Sequence, residues 1–463
     1  MAQGTRESGH ALVVGASIAG LVIARALAER FERVTVVDRD RLPQGPEPAS
    51  RKGVPQDRHV HVLVSAGLEA LDELFPGLAG EMAADGAPTF DVDRVRFCLN
   101  GQRLAPAPIG REVLSATRPF IEAHVRQRLR EHPAVSLTDG TVVRGLETSD
   151  GQRRVTGVRV ASRDDDRTEQ TLPADLVVDC SGRGSRNGAW LAELGYDSPA
   201  VDELPVEVRY ATRQYRFPPE IFGGDQIVLV GPTPDVPRGA SLMRVEGDRW
   251  LVTQFGMTGE RPPMDPEGYR EFAQHLVFPE VAEVIGDHAA LDDPSGYRYP
   301  ASVRSRYERL DDLPAGLLVA GDALASFNPI YGHGMSVAAL EAVTLRRLLA
   351  EGAVPTPKEW FAAVTPIVDV AWELATGADL AIRTVEGRRS LSTRALNAYL
   401  ARLHRVAAHD SALTEAFARV LVLIDPPSRL LRPGILGRVL RGRRRAAVSD
   451  RDDAHAPSSR APR

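Results

Sequence analysis

Lysine and cysteine are scarce in this chain, and long apolar runs are missing. The 463 residues include two lysines, Lys52 and Lys358, so arginine carries nearly all of the positive charge. The two cysteines, Cys98 and Cys180, lie in strand-like patterns without metal-ligand spacing, which argues against a zinc site and a disulfide framework. No apolar stretch reaches the ~18 residues that span a bilayer. We therefore expect a cytoplasmic protein with no metal and no membrane span.

The composition is that of an ordinary globular protein. Apolar residues make up 43% of the chain and charged residues 26%, and the formal net charge is -5. This balance does not favour nucleic-acid binding, which a basic surface drives. Because 463 residues exceed the size at which one core keeps growing, we expect two closely packed domains.

The order of the predicted strands and helices indicates a nucleotide-binding domain interleaved with a second sheet. A strand at 10–15, a helix at 18–31 and a strand at 33–38 open a parallel sheet, with a ligand expected at its carboxyl edge. Alternating segments at 92–99, 206–216 and 249–257 are typical of antiparallel strands. We therefore predict the fold class α/β plus α+β, with a Rossmann-like domain at 1–85, 113–195 and 306–350, an antiparallel-sheet substrate domain at 86–112 and 196–305, C-terminal helices at 351–442 and a disordered tail at 443–463.

A glycine-rich turn follows the first predicted strand. Gly15, Ser17 and Gly20 occupy the three key positions of a dinucleotide-binding fingerprint. Ser17 replaces the usual middle glycine, but serine is small enough to let the backbone approach phosphates. The turn aims backbone amides and a helix dipole at a pyrophosphate, and Asp38 ends the next strand, where it can accept hydrogen bonds from a ribose. The pattern predicts dinucleotide binding.

A second loop, at 321–335, has the sequence GDALASFNPIYGHGM between a buried strand and a long helix. Here the chain resembles the group 2 flavoprotein monooxygenases of glutathione-reductase-like fold, in which a Gly-Asp motif precedes a proline and a spaced pair of glycines. The resemblance implies FAD as cofactor, with Asp322 on the ribityl chain and Pro329 facing the isoalloxazine. The positive end of the helix that opens at Gly332 to Gly334 would stabilise negative charge on a reduced flavin.

No side chain is predicted to be catalytic in its own right. Pro329, Tyr331 and His333 are the candidates nearest the flavin, and we interpret the tyrosine and histidine as groups that shape its pocket. The resemblance also matches Arg118 to an arginine on the flavin nucleotide and Val142 to a strand residue beside the adenine. The predicted FAD contacts are Gly15, Ser17, Ala19, Gly20, Asp38, Arg39, Arg51, Arg118, Val142, Asp322, Pro329, Gly332, Gly334 and Met335.

The electron donor is left open by a third motif. The segment 175–186 resembles the family's Asp-Gly motif, which in aromatic hydroxylases serves both FAD and NAD(P)H, but Ser181 replaces the aspartate before Gly182. This departure puts direct NAD(P)H binding in doubt. We expect reduction by NAD(P)H directly or through a separate flavin reductase.

The loop at 51–61, RKGVPQDRHVH, resembles polyether-pathway flavin epoxidases such as those for lasalocid and monensin. That similarity extends from His10 to about Trp372 but weakens at 90–111 and in the C-terminal helices, so the polyether substrate is not carried over. The family implies a flavin C4a-hydroperoxide that transfers oxygen from O2 to a hydrophobic natural product of secondary metabolism. We see no acid–base pair in the substrate strands, which favours alkene epoxidation over aromatic hydroxylation.

Other functions fit the same motifs. A flavin-dependent prenyl reductase or cyclase of the same fold would share both FAD loops. A flavin-dependent halogenase is disfavoured, because its family usually has a Trp-x-Trp-x-Ile-Pro string that is missing around the four tryptophans Trp190, Trp250, Trp360 and Trp372. A flavin-binding protein without turnover is disfavoured by the helix start aimed at the reactive ring.

Overall fold

The computed structural model describes residues 7–165 and 167–452. Its strands are of two kinds: some are buried and apolar, and in others polar and apolar residues alternate. In chain order they are β1 (Glu7–Val14), β2 (Phe31–Val37), β3 (Val62–Leu63), β4 (Thr89–Asp91), β5 (Val95–Leu99), β6 (Gln102–Arg103), β7 (Glu112–Ser115), β8 (Val135–Thr138), β9 (Thr141–Thr148), β10 (Val155–Ser162), β11 (Glu169–Pro173), β12 (Leu176–Asp179), β13 (Val201–Tyr215), β14 (Ile227–Val230), β15 (Arg238–Val245), β16 (Arg249–Gly256), β17 (Ser295–Ser305), β18 (Leu317–Val319) and β19 (Ala325–Ser326).

The helices concentrate in the second half of the chain. They are α1 (Ile18–Leu27), α2 (Ser65–Leu74), α3 (Leu78–Ala84), α4 (Arg118–Arg130), α5 (Asn187–Glu193), α6 (Pro266–Gln274), α7 (Glu280–Asp287), α8 (Gly334–Glu351), α9 (Pro357–Asp379), α10 (Leu391–Ala407), α11 (Ser411–Leu421) and α12 (Pro433–Asp452).

A parallel sheet forms the centre of the nucleotide-binding part. Its strands lie in the order β18, β12, β1, β2 and β8. The inner strands β12 and β1 and the edge strand β18 are rich in Val and Leu and largely buried, as expected of parallel strands covered by helices on both faces, whereas β8 is half exposed. Because all five run in the same direction, the loops after β1, β2, β12 and β18 meet at one edge. This edge is where a ligand of such a sheet binds.

A second, larger sheet has the order β19, β17, β13, β16, β15, β14, β5 and β6. Neighbouring strands are antiparallel except β5 and β14, which run parallel, so this sheet is mixed. One face packs against α6 and α7 through side chains such as Ala211, Val252 and Tyr269. The other face carries Tyr210, Phe255 and Tyr299 and packs towards the loop before α8 and the C-terminal helices.

The C-terminal helices close the molecule around both sheets. On α9, Trp360 is buried and its indole Nε1 donates to the carbonyl of Val319 at 2.9 Å, which ties the helix to the parallel sheet. Leu403 on α10 and Leu413 on α11 pack with Phe97 and Met243 of the mixed sheet. The C-terminal helices thus extend the hydrophobic cores of both sheets.

Several element boundaries differ from the sequence-based predictions. The predicted strand at 92–99 begins at Val95, because Val92–Arg94 form a short 3-10 helix whose first amide is capped by the Asp91 side chain. The α12 backbone continues to Asp452, through the first ten residues of the tail predicted at 443–463. No proline interrupts this stretch after Pro433, and Arg and Ala favour helix. Residues 453–463 lie outside the described part of the chain.

Residues 7–165 and 167–452 contain neither a membrane-spanning helix nor a metal-binding group of side chains. No helix there is long and apolar enough to cross a membrane. The described His, Cys, Asp and Glu side chains form no group that could hold a metal ion. Cys98 and Cys180 are both buried free thiols.

A substitution at Gly67 tests the contact between α2 and α8, which positions the loop at 321–335. A Cβ on Gly67 would lie 2.1 Å from Ser336 Oγ, so Gly67→Ala should lower the free energy of unfolding by about 1–3 kcal/mol through overpacking. Gly80→Ala is the matched control, because a Cβ there meets nothing within 4 Å on the exposed helix α3. Denaturant unfolding of both variants measures the difference; equal stabilities would contradict the packing.

Candidate dinucleotide and substrate site

The turn between β1 and α1 depends on glycine at two positions. Gly15 has φ +100°, and a Cβ there would lie 2.5 Å from the carbonyl oxygen of Cys180. A Cβ on Gly20 would lie 1.7 Å from the carbonyl oxygen of Gly15. No side chain caps α1, whose N-cap residue is Ser17. The turn is therefore a cradle of close backbone with the amides of the first helical turn available to a phosphate.

Asp38 shapes this turn from the end of β2. Its Oδ2 accepts from the amide of Ala16 at 2.6 Å and its Oδ1 from the amide of Asp40 at 2.8 Å, and the residue is buried. Arg39 beside it is exposed. Val142 is half-buried in β9, next to Thr141, whose amide donates to the carbonyl of Asp38. The predicted ribose and adenine residues therefore lie together at one end of the site.

A buried carboxylate, Glu122 on α4, joins the predicted arginines. Its Oε1 accepts from Arg51 Nε at 2.7 Å and its Oε2 from Arg118 Nε at 3.3 Å, while Arg126 lies within 4.0 Å. Arg118 Nη2 also donates to Ser17 Oγ at 2.7 Å. Burial lowers the pKa of Arg118, and the charge of Glu122 opposes that shift. Glu122 thus holds two cationic side chains against the glycine-rich turn.

The second loop meets the first through glycine. Gly321 has φ +63°, and a Cβ there would lie 2.6 Å from the Cβ of Ala19. The amide of Gly321 donates to Oε2 of the buried Glu341 at 2.7 Å, and burial raises the pKa of Glu341 to about 8. The backbone of this loop is therefore held by a side chain from within α8, and it lies directly against the start of α1.

Asp322 lies at the centre of the edge where the loops meet. Asp322 is exposed at this edge, and its Oδ1 is 3.9 Å from the position that a Cβ on Gly334 would take. The protein around it raises the pKa of Asp322 by desolvation, while the charges of Arg118 and Arg183 oppose the increase. Asp322 is thus an accessible acceptor next to the amino end of α8.

The flavin-proximal candidates are anchored by a carboxylate on α9. Asp379 Oδ1 accepts from Asn328 Nδ2 and from the Tyr331 hydroxyl, each at 2.8 Å. Burial raises the pKa of Asp379 to about 7. Pro329–Tyr331 form a 3-10 turn that ends at Gly332, whose φ is +71°. The conformation of this loop therefore depends on a residue some fifty positions later in the chain.

His333 points away from the loop and into the C-terminal helices. It is buried, and its Nε2 lies 3.0 Å from the carbonyl oxygen of Leu421. Burial lowers the pKa of His333 to about 4, so the ring is neutral at pH 7. No side chain caps the first turn of α8, whose first residues are Gly334 and Met335, so that helix start is also open to an anion.

The third motif forms the turn after β12. Asp179 is buried and accepts from the amide of Ser181 at 2.9 Å and from the Ser185 hydroxyl at 2.6 Å. Ser181 itself is exposed. The guanidinium of Arg183 lies 4.4 Å from the ring centroid of Tyr299, so this turn reaches across to the mixed sheet.

The mixed sheet presents an aromatic face to this edge. Tyr210 stands opposite Phe255 on β16 and Tyr297 on β17. His59 belongs to the loop at 51–61, which we call the basic loop. Its ring centroid lies 5.4 Å from that of Tyr210 and 5.6 Å from that of Tyr297, and its Nδ1 is 2.6 Å from Thr212 Oγ1. Burial lowers the pKa of His59 to about 4 and raises that of Tyr210 well above its ordinary value. The side chains of His59 and Tyr210 are therefore neutral at pH 7, and the nearest charge on this face is the Arg183 guanidinium over Tyr299.

A separate open cleft of about 740 Å³ lies beside the loop at 51–61. Its wall is polar: Glu246 accepts from the amide and the hydroxyl of Thr117 at 3.0 and 2.7 Å, and Arg249 bridges Glu246 and Gln214. Asp57 and Arg58 face the same space. The cleft is thus open and lined by charged side chains, whereas the side chains of the aromatic face are largely buried and neutral.

Neutralisation of Glu122 tests the arginine cluster. Glu122→Gln should lower the free energy of unfolding by about 3–5 kcal/mol, because buried Arg118 loses its acidic partner and buried Arg51 loses its nearest one. The control is Glu131→Gln at the exposed end of the same helix, which should change stability by less than about 0.5 kcal/mol. Chemical denaturation of both variants measures the effect, and similar losses would contradict the role of Glu122.

Asp379 should give the protein a pH-dependent stability. Its folded-state pKa of about 7 exceeds its ordinary value of 3.8, so between these values the folded state holds a proton that the unfolded chain has released. Stability therefore falls as pH rises through this window, by at most about 1.4 kcal/mol per pH unit. Asp379→Asn should make the decline shallower, leaving the part due to Glu341, whose folded-state pKa of about 8 also exceeds its ordinary value, whereas Asn at exposed Asp311 should keep the full decline. The measurement is the free energy of unfolding of each protein from pH 4 to 8. An equal decline in Asp379→Asn and in the parent would contradict this assignment.

Comparisons with known proteins agree with this architecture. The family model of the FAD binding domain matches residues 9–355. Protein Rv3254 of Mycobacterium tuberculosis is 36% identical over 352 residues, 73% of each chain. Squalene epoxidase 1 of Arabidopsis thaliana is 28% identical over 350 residues, 73% of this chain and 59% of its own. The structure of pqsL, a probable FAD-dependent monooxygenase from Pseudomonas aeruginosa, has a TM-score of 0.62 at 17% identity over 81% of this chain and 97% of its own. The chain therefore belongs to the FAD binding domain family and is an FAD-dependent monooxygenase.

Proposed function

We propose that this enzyme inserts one oxygen atom of O2 into a hydrophobic natural product by epoxidation of an alkene. A nicotinamide-class reductant supplies two electrons, one oxygen atom bonds to both alkene carbons, and the other leaves as water. The observation that carries this proposal is the aromatic face of Tyr210, Phe255 and Tyr297 beside the loop at 328–332. Similarity to a squalene epoxidase supports the same type of reaction.

The residues at the sheet edge fit FAD. We propose that the amides at the start of α1 bind the pyrophosphate, that Asp38 and Val142 flank the adenosine, and that Asp322 accepts from the ribityl hydroxyls. Arg118, held by Glu122, would balance the phosphate charge. The amino end of α8 would face the isoalloxazine and stabilise its negative charge when reduced. Bound FAD supplies the electron transfer and the activation of O2.

Proton chemistry on the aromatic face favours epoxidation. Burial keeps the pKa of His59 near 4 and raises the pKa of Tyr210 and Tyr299, so none of these groups is a strong base at neutral pH. Epoxidation requires only that the double bond be placed near the oxygen donor in a dry pocket. Hydroxylation of a phenol instead benefits from removal of the phenolic proton.

One observation favours aromatic hydroxylation as a second candidate. The Tyr331 hydroxyl donates to Asp379, and burial raises the pKa of Asp379 to about 7, so the pair could accept a phenolic proton near physiological pH.

A prenyl reductase or cyclase would use the same FAD loops without O2. Oxygen consumption coupled to product formation separates those functions from either oxygenation.

The turn at 179–185 supports a proposal about the electron donor. The Asp179 carboxylate already accepts hydrogen bonds from the Ser181 amide and the Ser185 hydroxyl. Ser181, which is exposed, replaces the family's acidic residue. We propose that reduction is faster with an added flavin reductase than with NAD(P)H alone. Equal rates of anaerobic flavin bleaching under the two conditions would contradict this.

Removal of the Asp322 carboxylate should weaken FAD binding. Asp322→Ala loses a charge-assisted hydrogen bond, which corresponds to roughly a 10- to 100-fold increase in the Kd for FAD. The control is Asp312→Ala, an exposed aspartate that precedes β18. Fluorescence titration of apoprotein with FAD measures both variants, and an unchanged Kd for Asp322→Ala would contradict the ribityl assignment.

The reaction type is tested with oxygen-18 gas. Reduced enzyme is supplied with a panel of terpenoid alkenes and a panel of phenols of similar size, and products are analysed by mass spectrometry. We expect label from the gas in an epoxide and turnover of alkenes to exceed that of phenols. Labelled catechols with unreacted alkenes would favour hydroxylation, and product without label would exclude both.

A further inference from the structure

The positive charge of this acidic protein is concentrated near its carboxyl end. Residues 381–445 contain fourteen arginines and four acidic residues, a net charge of +10 in a chain whose total is -5. The rest of the chain is therefore strongly acidic. Such an asymmetry indicates that one region meets an anionic partner.

Exposed leucines lie in the same region. Five of the eight large apolar side chains that are exposed in the described part of the chain are on its C-terminal helices and the turn before α12, namely Leu391, Leu396, Leu431, Leu436 and Leu440. Leu391 is 84% exposed and Leu431 56%. Scattered exposed leucines need no explanation, but a concentration of them on a basic surface does.

Helix α12 is held so that its leucines face outward. Its inner side packs along α10, where Val439 is fully buried and Gly442 lies against Val406. Arg402 on α10 donates to the carbonyls of Val439 and Leu440 at 3.0 and 2.8 Å. Leu436 and Leu440 are one turn apart and share the opposite side.

The same side is cationic. Arg432 and Arg441 are exposed and have no acidic partner among the described residues, whereas Arg438 on the inner side pairs with Asp410. Arg443 to Arg445 follow directly in the sequence. We call the surface formed by Leu431, Arg432, Leu436, Leu440 and Arg441 the α12 face.

We propose that the α12 face docks on the surface of an anionic phospholipid bilayer. A helix with leucines and arginines on one exposed side lies in the interface, its apolar side chains at the acyl boundary and its guanidinium groups at the lipid phosphates. Charge complementarity selects this partner. Two copies joined through the face would bring like charges together, and a nucleic acid would leave the leucines without a partner.

Docking would place the enzyme where hydrophobic molecules partition. Through its inner side, α12 packs on α10 and α11, whose Leu403 and Leu413 pack with Phe97 and Met243 of the mixed sheet. This consequence for substrate supply rests on the proposed function, whereas the docking itself does not. The two are tested separately, because vesicle binding needs no substrate.

The test is flotation of the full FAD-loaded chain with vesicles of phosphatidylcholine alone or mixed with phosphatidylglycerol. We expect binding to the mixed vesicles only, weakened by added salt. The double variant Leu436→Ser/Leu440→Ser should bind at least about ten-fold more weakly. Met264→Ser/Leu291→Ser is the matched control, because these side chains are 50% and 51% exposed elsewhere, and it should bind like the parent.

A second variant keeps the proposal testable if serine disturbs α12. Arg432→Gln/Arg441→Gln should lose binding to the mixed vesicles while retaining its FAD absorbance and melting temperature. The proposal is overturned if the parent binds neither vesicle, or if both double variants float like the parent. A concentration-dependent dimer that Leu436→Ser/Leu440→Ser abolishes, without vesicle binding, would show that the face joins two copies instead.

Discussion

The site depends on one buried carboxylate. Glu122 lies between Arg51, Arg118 and Arg126, and without its charge three guanidinium groups would be packed together in a low-dielectric environment. With it, Arg118 reaches Ser17 and Arg51 reaches the carbonyl of Ala16 at 2.8 Å, so both arginines brace the glycine-rich turn. The same interaction connects α4 and the basic loop to the parallel sheet.

From this anchor the two FAD loops converge by close backbone packing. Gly321 allows its loop to contact Ala19, and Glu341 and Asp379 fix the two ends of that loop from α8 and α9. The result is a pair of helix starts without side-chain caps at one edge of the sheet, facing the aromatic side of the mixed sheet. Buried acids thus hold the two loops, while the aromatic side chains of the mixed sheet face them with one guanidinium, that of Arg183, over Tyr299.

The sequence predicted the features that arise locally. The glycine positions, Asp38 and Asp322 each belong to a short strand–loop–helix pattern, and the fold class followed from the order of such patterns. Glu122 and Asp379 were missed, because neither stands in a motif and their partners Arg51 and Tyr331 lie 71 and 48 positions away. A carboxylate inside an apolar helical pattern was the only available signal. His333 shows the opposite case: its motif suggests the flavin, but the ring packs against α11.

The central claim is that these loops hold FAD between the two helix starts. A crystal structure of the enzyme purified with its FAD tests it most directly. We predict the pyrophosphate at the start of α1, the ribityl chain within hydrogen-bond distance of Asp322, and the isoalloxazine between the loop at 329–335 and the aromatic face of Tyr210 and Tyr297. An FAD whose ring lay instead in the polar cleft lined by Glu246 and Arg249, or whose ribityl chain did not contact Asp322, would contradict the account.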